Sequence, residues 1–341
     1  MTKKKLDWEN LGFEYHETDK RYIANYKDGE WKEGKLSSES NVVINESAAV
    51  LQYCQQVFEG LKSYTTKDGE IVTFRPDLNA ERMIDSARGL RIPPFPKERF
   101  LEAVDQVVEA NADWVPPYGT GASLYLRPFI IGSKDVIAIK PADEYQFRLY
   151  ATPVGPYFKG GVNPLVLRVS DSDRAAPRGT GDLKAGLNYA MSLNTTVKAH
   201  EEGYDENLFL DAATRSYVEE SGGANIIFIT EDKELVTPKS TSILPSITKR
   251  SILYLAENHL GLKVTERPVK LEELENFAEA GLCGTAAVIS PVGKIVNGDQ
   301  EIRFPSGMDD MGPVIKELYE TLTQIQLGVI EAPTGWIRKI K

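Results

Sequence analysis

The chain has 341 residues, 41% of them apolar and 26% charged, with a formal net charge of −10. Its length exceeds the ~250–300 residues at which single cores stop growing, so two domains are expected. The acidic balance argues against a nucleic-acid partner, and no apolar run is long enough to span a membrane. The basic start Met1-Thr2-Lys3-Lys4-Lys5 has no apolar segment behind it and does not read as a signal peptide. Cys54 and Cys283 lie far apart in sequence, which speaks against a disulfide framework and for the cytoplasm. His16, His200 and His259 lack the spacing of a metal site, so no metal is expected.

In chain order, residues 1–40 read as an irregular arm with short strands such as 21–26. Strands 60–65 and 71–74 form a hairpin around Asp68-Gly69, a pair that supplies the positive φ angles of a tight turn. Pro76-Asp77 opens a helix carrying Leu78, Met83, Ile84 and Ala87. A second helix, 97–112, lines up Phe100, Leu101, Val104, Val107 and Val108 in one stripe. Strands 122–127 and 146–151 close this half. Gly155-Pro156-Tyr157-Phe158-Lys159-Gly160-Gly161 has the small, flexible composition of a linker. Beyond it, strands at 165–170, 206–211, 224–230, 262–267 and 284–290 alternate with helices, the last spanning 312–326. The expected organisation is a small N-terminal domain (1–155), a linker (156–164) and a large C-terminal domain (165–341), both of mixed α/β structure.

Lys184 is the residue most suggestive of chemistry. It sits in Gly179-Thr180-Gly181-Asp182-Leu183-Lys184-Ala185-Gly186, a glycine-rich break between a strand pattern and the amphipathic helix pattern 188–200. A surface lysine needs no such setting, whereas one presenting its amine to a flat cofactor does. Some forty residues on, Glu219-Glu220-Ser221-Gly222-Gly223-Ala224-Asn225 offers carboxylates beside glycines. Amine and carboxylate together suggest a pyridoxal-phosphate site, one group bonding the aldehyde and the other holding the ring nitrogen. Ser246 is a plausible N-cap, which leaves the amides of Ile247 and Thr248 pointing outward as a phosphate cradle. Arg82 is a further candidate, although Glu81 and Asp85 are potential partners for it or for Arg88. Strand alternation puts Tyr125 and Arg127 on one face, where phenol and guanidinium can both donate to a carboxylate.

Five blocks occur in order: 53–62 with Phe58-Glu59-Gly60, Tyr125-Leu126-Arg127-Pro128, 181–189, Glu220 with Asn225, and Gly284-Thr285-Ala286-Ala287. Over roughly residues 8–335 the chain resembles the branched-chain aminotransferases of the class IV, fold type IV, pyridoxal-phosphate family. The resemblance implies two mixed α/β domains with the cofactor between them, and a homodimer in which each site borrows a loop from the partner subunit. It implies that Lys184 bonds the cofactor and shuttles a proton, that Glu220 pairs with the ring nitrogen, and that Tyr189 binds the ring's 3-oxygen. Arg82, Ile247, Thr248 and Thr285 would hold the phosphate. Thr285 and Ala286 amides with Tyr125 would bind the substrate α-carboxylate, and Arg127 the second carboxylate of glutamate or 2-oxoglutarate. Tyr15, Tyr53, Phe58, Tyr125, Tyr157 and Gly223 would line a pocket for Leu, Ile or Val side chains, where apolar burial is worth ~25 cal/mol per Å². The same fold also serves D-amino-acid aminotransferases and aminodeoxychorismate lyases, but the Phe58-Glu59-Gly60 and Tyr125–Arg127 blocks favour the branched-chain reading. A non-catalytic binding module is a more distant alternative, opposed by the intact lysine, glutamate and phosphate set.

Three positions depart from the family pattern. Arg178 stands where glycine is frequent, and Ile227 where an aromatic is. Ala287-Val288-Ile289-Ser290 replaces the Cys-x-x-Cys of animal relatives, so the redox switching implied by that pair is not expected.

Overall fold

The computed structural model describes residues 3–155 and 163–340. Tyr157 and most of the expected linker lie outside the described residues. The chain divides into two compact units: Met1–Tyr157 with Leu183–Leu187 and Ile325–Lys341, and Phe158–Asp182 with Asn188–Gln324. The segment around Lys184 and the C-terminal tail thus pack with the first unit.

The first unit runs β1 (Arg21–Lys27), β2 (Glu30–Trp31), β3 (Lys35–Ser37), α1 (Ala49–Tyr53), β4 (Gln56–Phe58), β5 (Leu61–Thr65), β6 (Ile71–Phe74), α2 (Pro76–Gly89), α3 (Lys97–Ala110), β7 (Ser123–Gly132) and β8 (Tyr145–Val154). A C-terminal strand, Ile337–Lys339, joins them at the sheet edge beside β6. The nine-stranded sheet follows the path C-terminal strand, β6, β5, β7, β8, β1, β2, with β3 on β1 and β4 on β7. The expected stripe of α3 is its buried face: Phe100, Val104, Val107 and Val108 lie in the core with Met83 and Ala87 of α2. Phe147 of β8 stacks on Phe95 with ring centroids 3.9 Å apart. In the β5–β6 hairpin only Gly69 takes positive φ, at 79°, because the loop is closed by the Thr66 amide on the Glu70 carbonyl rather than by a two-residue turn.

The second unit contains β9 (Leu165–Val169), α4 (Gly186–Glu201), β10 (Glu206–Leu210), β11 (Tyr217–Ser221), β12 (Asn225–Thr230), β13 (Leu235–Pro238), α5 (Ile247–Asn258), β14 (Val264–Arg267), β15 (Val269–Lys270), β16 (Phe277–Gly284), β17 (Val288–Asn297), β18 (Gln300–Arg303) and α6 (Pro313–Gln326). Its ten-stranded sheet is mixed, with β9 parallel to both β10 and β17. An additional pairing of β11 with β12, made at Glu220 and Asn225, closes six of the strands into a ring. Leu167, Leu208, Val218, Ile226, Phe228, Leu282 and Ile295 form its buried apolar cluster. The start of α6 is held by the buried Glu279, whose carboxylate accepts the Val314 and Ile315 amides at 3.1 and 2.9 Å, a charge placed where the helix dipole favours it.

One expected strand is corrected. Residues 284–290 do not form a single strand; β16 ends at Gly284, residues 285–287 turn, and β17 starts at Val288. Apolar composition hid the reversal, which Val288 permits by adopting φ 64°. Two departures from the family pattern also find their place. Ile227 is fully buried on β12, opposite Gly281. Arg178 is exposed with φ 60°, the left-handed region that glycine enters without steric cost. The side chain therefore does not disturb packing, and the residue's cost lies in the backbone. Arg178→Val should lower the melting temperature, by an amount corresponding to ~1–2 kcal/mol, since a β-branched residue is an outlier at this φ. Arg178→Gly should melt at or above the wild-type temperature in the same scan.

Candidate active site

In the first unit, the Lys184 segment is an added edge to β4. Its carbonyl accepts the Phe58 amide at 3.0 Å, its own amide donates to Ser86 Oγ at 2.9 Å, and Ala185 bridges to Val57. Gly186 lets the chain approach this closely, since a Cβ there would stand 2.2 Å from Gln56 Oε1. The Lys184 amine lies 4.9 Å from the Phe58 ring centroid, and the Arg127 guanidinium lies 4.9 Å from the same ring. Arg127 also donates to the Tyr125 hydroxyl at 3.1 Å, as their shared strand face requires. Lys184 and Arg127 are therefore both gathered at the Phe58 ring, with Tyr125 bonded to Arg127.

Phe58-Glu59-Gly60 builds this cluster from beneath. Glu59 is fully buried and takes the guanidinium of Arg82 as a two-point fork, Nε to Oε1 and Nη2 to Oε2, each 2.8 Å. Asn79 Nδ2 adds a third donor at 2.7 Å. Arg82 is thus paired neither with Glu81 nor with Asp85; Asp85 pairs with Arg88 on the exposed face of α2, and Arg82 Nη1 lies outside the fork. A Cβ on Gly60 would sit 2.0 Å from the Tyr125 hydroxyl, so glycine there leaves the phenol its position. Lys62, paired in register with Tyr125, is buried and pushed down to about 8 by desolvation.

The remaining aromatic candidates of this unit are more exposed. Tyr15 packs edge-on against Tyr150, which is the register partner of Arg127. Tyr53 is exposed at the end of α1 and donates its hydroxyl to the Ile137 carbonyl.

In the second unit, Glu220 is buried at the residue pair that closes the sheet. Its Oε2 accepts Asn225 Nδ2 at 2.5 Å and its Oε1 accepts the Leu244 amide at 3.0 Å. Arg174 Nη2 stands 2.9 Å from Oε1. Burial nevertheless pushes the Glu220 carboxyl up to about 7, against the lowering effects of Arg174 and the Leu244 amide. Desolvation outweighs the donors present, so a further cation against this carboxylate would be favoured. For Gly223, in the same hairpin, no atom of the described residues beyond its chain neighbours lies within 4 Å of where a Cβ would project.

Leu244 connects the carboxylate to the start of α5. There Ser246 caps the helix by accepting the Lys249 amide at 3.1 Å, and the amides of Ile247 and Thr248, at the first two helical positions, have no intrahelical acceptor. Thr285 and Ala286 occupy the turn between β16 and β17, and Tyr189 is half-buried in the first turn of α4. Cys283 is buried and pushed up to about 12, chiefly by desolvation.

Sequence reasoning did not give roles to Glu59, Asn79, Lys62 or Arg174. Glu59 was visible only as the middle of a motif, flanked by an aromatic and a glycine. Arg174 stands in a loop without periodicity, and its partner is 46 positions away in sequence.

The profile of the family described as "Amino-transferase class IV" matches residues 56–295. The chain is 50% identical to a branched-chain-amino-acid aminotransferase of Haemophilus influenzae, over 99% of this chain and 100% of that one. Among solved structures, it is similar to the Escherichia coli branched-chain amino acid aminotransferase, with TM-score 0.79 and 28% identity, over 95% of this chain and 100% of that one. It is also similar to the Thermobaculum terrenum enzyme in its PLP-form, with TM-score 0.78 and 25% identity, over 96% and 100%. The chain belongs to the class IV aminotransferases, and within them to the branched-chain aminotransferases.

Breaking the Glu59 fork should be costly, because it takes away the fully buried carboxylate that accepts both Arg82 Nε and Nη2. Glu59→Ala is expected to lose ~3–5 kcal/mol of unfolding free energy in urea titrations. A loss below ~1 kcal/mol would mean that the fork does not support the fold.

Proposed function

We propose that this chain moves the amino group of L-leucine, L-isoleucine or L-valine to 2-oxoglutarate by two half-reactions on pyridoxal 5′-phosphate, working as a cytoplasmic homodimer. The observation that carries the reading is the ring of Phe58 shared by the Lys184 amine and the Arg127 guanidinium, which sets a carboxylate-binding cation beside a candidate nucleophile.

The residues present fit the cofactor. Glu220, a buried carboxylate whose ionised form a further cation would favour, suits a protonated ring nitrogen. The amides of Ile247 and Thr248 suit a phosphate, with Arg82 and the Thr285 amide as further donors. Tyr189 is assigned to the ring's 3-oxygen. When bound, pyridoxal phosphate supplies an aldehyde that accepts nitrogen and a ring that takes up the electron pair released at the substrate Cα.

Lys184 Nζ serves first as the anchor and then, once displaced, as the base that takes the Cα proton and returns it at the far end of the transfer. Tyr125, with the Thr285 and Ala286 amides, orients the α-carboxylate. Arg127 takes the second carboxylate of glutamate or 2-oxoglutarate, and the Tyr125 hydroxyl can turn toward it or away, so that apolar and acidic side chains can alternate. Phe58, Tyr15, Tyr53, Tyr157 and Gly223 are assigned to the side-chain pocket. For the second copy, support comes from Ile137 and Ile139, 84% and 91% exposed on the loop that Tyr53 bonds. For the cytoplasm, it comes from two unpaired cysteines; among the described residues, no helix is long and apolar enough to cross a membrane.

Borohydride reduction of the cofactor-loaded protein should place the label at Lys184, and Lys184→Ala should abolish both labelling and turnover; a label elsewhere refutes the assignment. L-leucine, and not D-alanine, should convert the aldehyde absorbance. Gly60→Ala should raise the KM for 2-oxoglutarate by at least tenfold, with a smaller change in kcat, by pushing the Tyr125 hydroxyl off its position. Unchanged steady-state constants would remove Tyr125 from carboxylate binding.

A further inference from the structure

We propose that Arg174 is a positioning residue for the cofactor ring: ion-paired to Glu220, it keeps that carboxylate ionised so that the shared proton resides on the ring nitrogen. The inference rests on the reading of Glu220 given under Proposed function.

Arg174 is 6% exposed, and its Nη2 faces three oxygens: Glu220 Oε1 at 2.9 Å, the Gly181 carbonyl at 3.0 Å and the Ser242 carbonyl. The approach depends on glycine at 181, where a Cβ would stand 2.8 Å from that nitrogen and 2.3 Å from the Ser242 oxygen. Glu220 cannot swing away, because its backbone is the closing pair with Asn225 and both carboxylate oxygens are bonded.

The other titratable groups acting on Glu220 are Glu219, which raises it, Lys249 of α5, which lowers it, and Cys283 of β16, whose own titration Glu220 pushes up. The Lys249 amine is 3.4 Å from Glu266. Among the described residues, Arg174 is the one cation within 4 Å of the Glu220 oxygens. Burial pushes the carboxyl up to about 7 even so. Without Arg174 it moves further up, and a neutral acid facing the ring no longer stabilises a pyridinium.

The alternative is a purely structural arginine that fastens the Gly181 and Ser242 loops. Such a residue affects cofactor affinity but not the proton inventory of binding. The test is calorimetric titration of the apoprotein with pyridoxal phosphate at pH 8, in two buffers of different ionisation enthalpy, to count protons exchanged. At this pH wild-type Glu220 is largely ionised, so its share of the release is small. Arg174→Met should release more protons than wild type, approaching about one more per site, because Glu220 then begins protonated. Arg174→Lys should return the count toward wild type, and in a Glu220→Gln background Arg174→Met should change nothing. If Arg174→Met fails to fold by circular dichroism, Arg174→Gln, which can still bond the two carbonyls, carries the same expectation. A folded, cofactor-binding variant with the wild-type count overturns the proposal. Failure of wild type to bind pyridoxal phosphate at all would instead overturn the functional reading beneath it.

Discussion

The arrangement depends on carboxylates that have been taken out of water and answered by donors from other elements. Glu220 is the central case. A buried carboxylate is costly unless several donors converge on it, and here they come from β12, from the loop before α5 and from the loop before Lys184. The acid therefore ties three segments of the second unit to the one point where its sheet closes on itself. Glu279 does the same at smaller scale, fixing where α6 begins.

Glu59 is the counterpart in the first unit. By holding Arg82 in a fork, it fixes α2 against the end of β4, and the lysine segment is laid along that strand. Gly60, the next residue, gives the Tyr125 phenol its space. A three-residue motif thus sets the position of a guanidinium, a phenol and, through Phe58, an amine. Its physical role is to fix where those three groups stand.

Much of this was legible before the structure. The α3 stripe was readable because burial on one face leaves a period in the sequence, and the β5–β6 hairpin because Asp68-Gly69 marks its turn. The lysine, glutamate and capped helix were readable because glycine and serine mark unusual backbone. β7 and β8 run further than the expected 122–127 and 146–151: β7 continues past Pro128, which reads in sequence as a strand end, to Gly132, and β8 extends from Tyr145 to Val154. The β16–β17 reversal was missed because Thr285-Ala286-Ala287-Val288 carries none of the usual turn residues. Arg174 and Glu59 were not assigned roles because a buried ion pair leaves no local pattern; its two halves are set by the tertiary fold alone.

That reversal has a further implication. Gly284 pairs with Val288 and Cys283 with Ile289, so residues 285–287 are clamped at both ends by the ladder, and the strained Val288 is held by its neighbours rather than by its own preference. A clamp of this kind fixes the main chain of the turn through the ladder rather than through the turn's own sequence. The course of the turn is thus set by the strands on either side of it, and a change in either strand would move all three residues together.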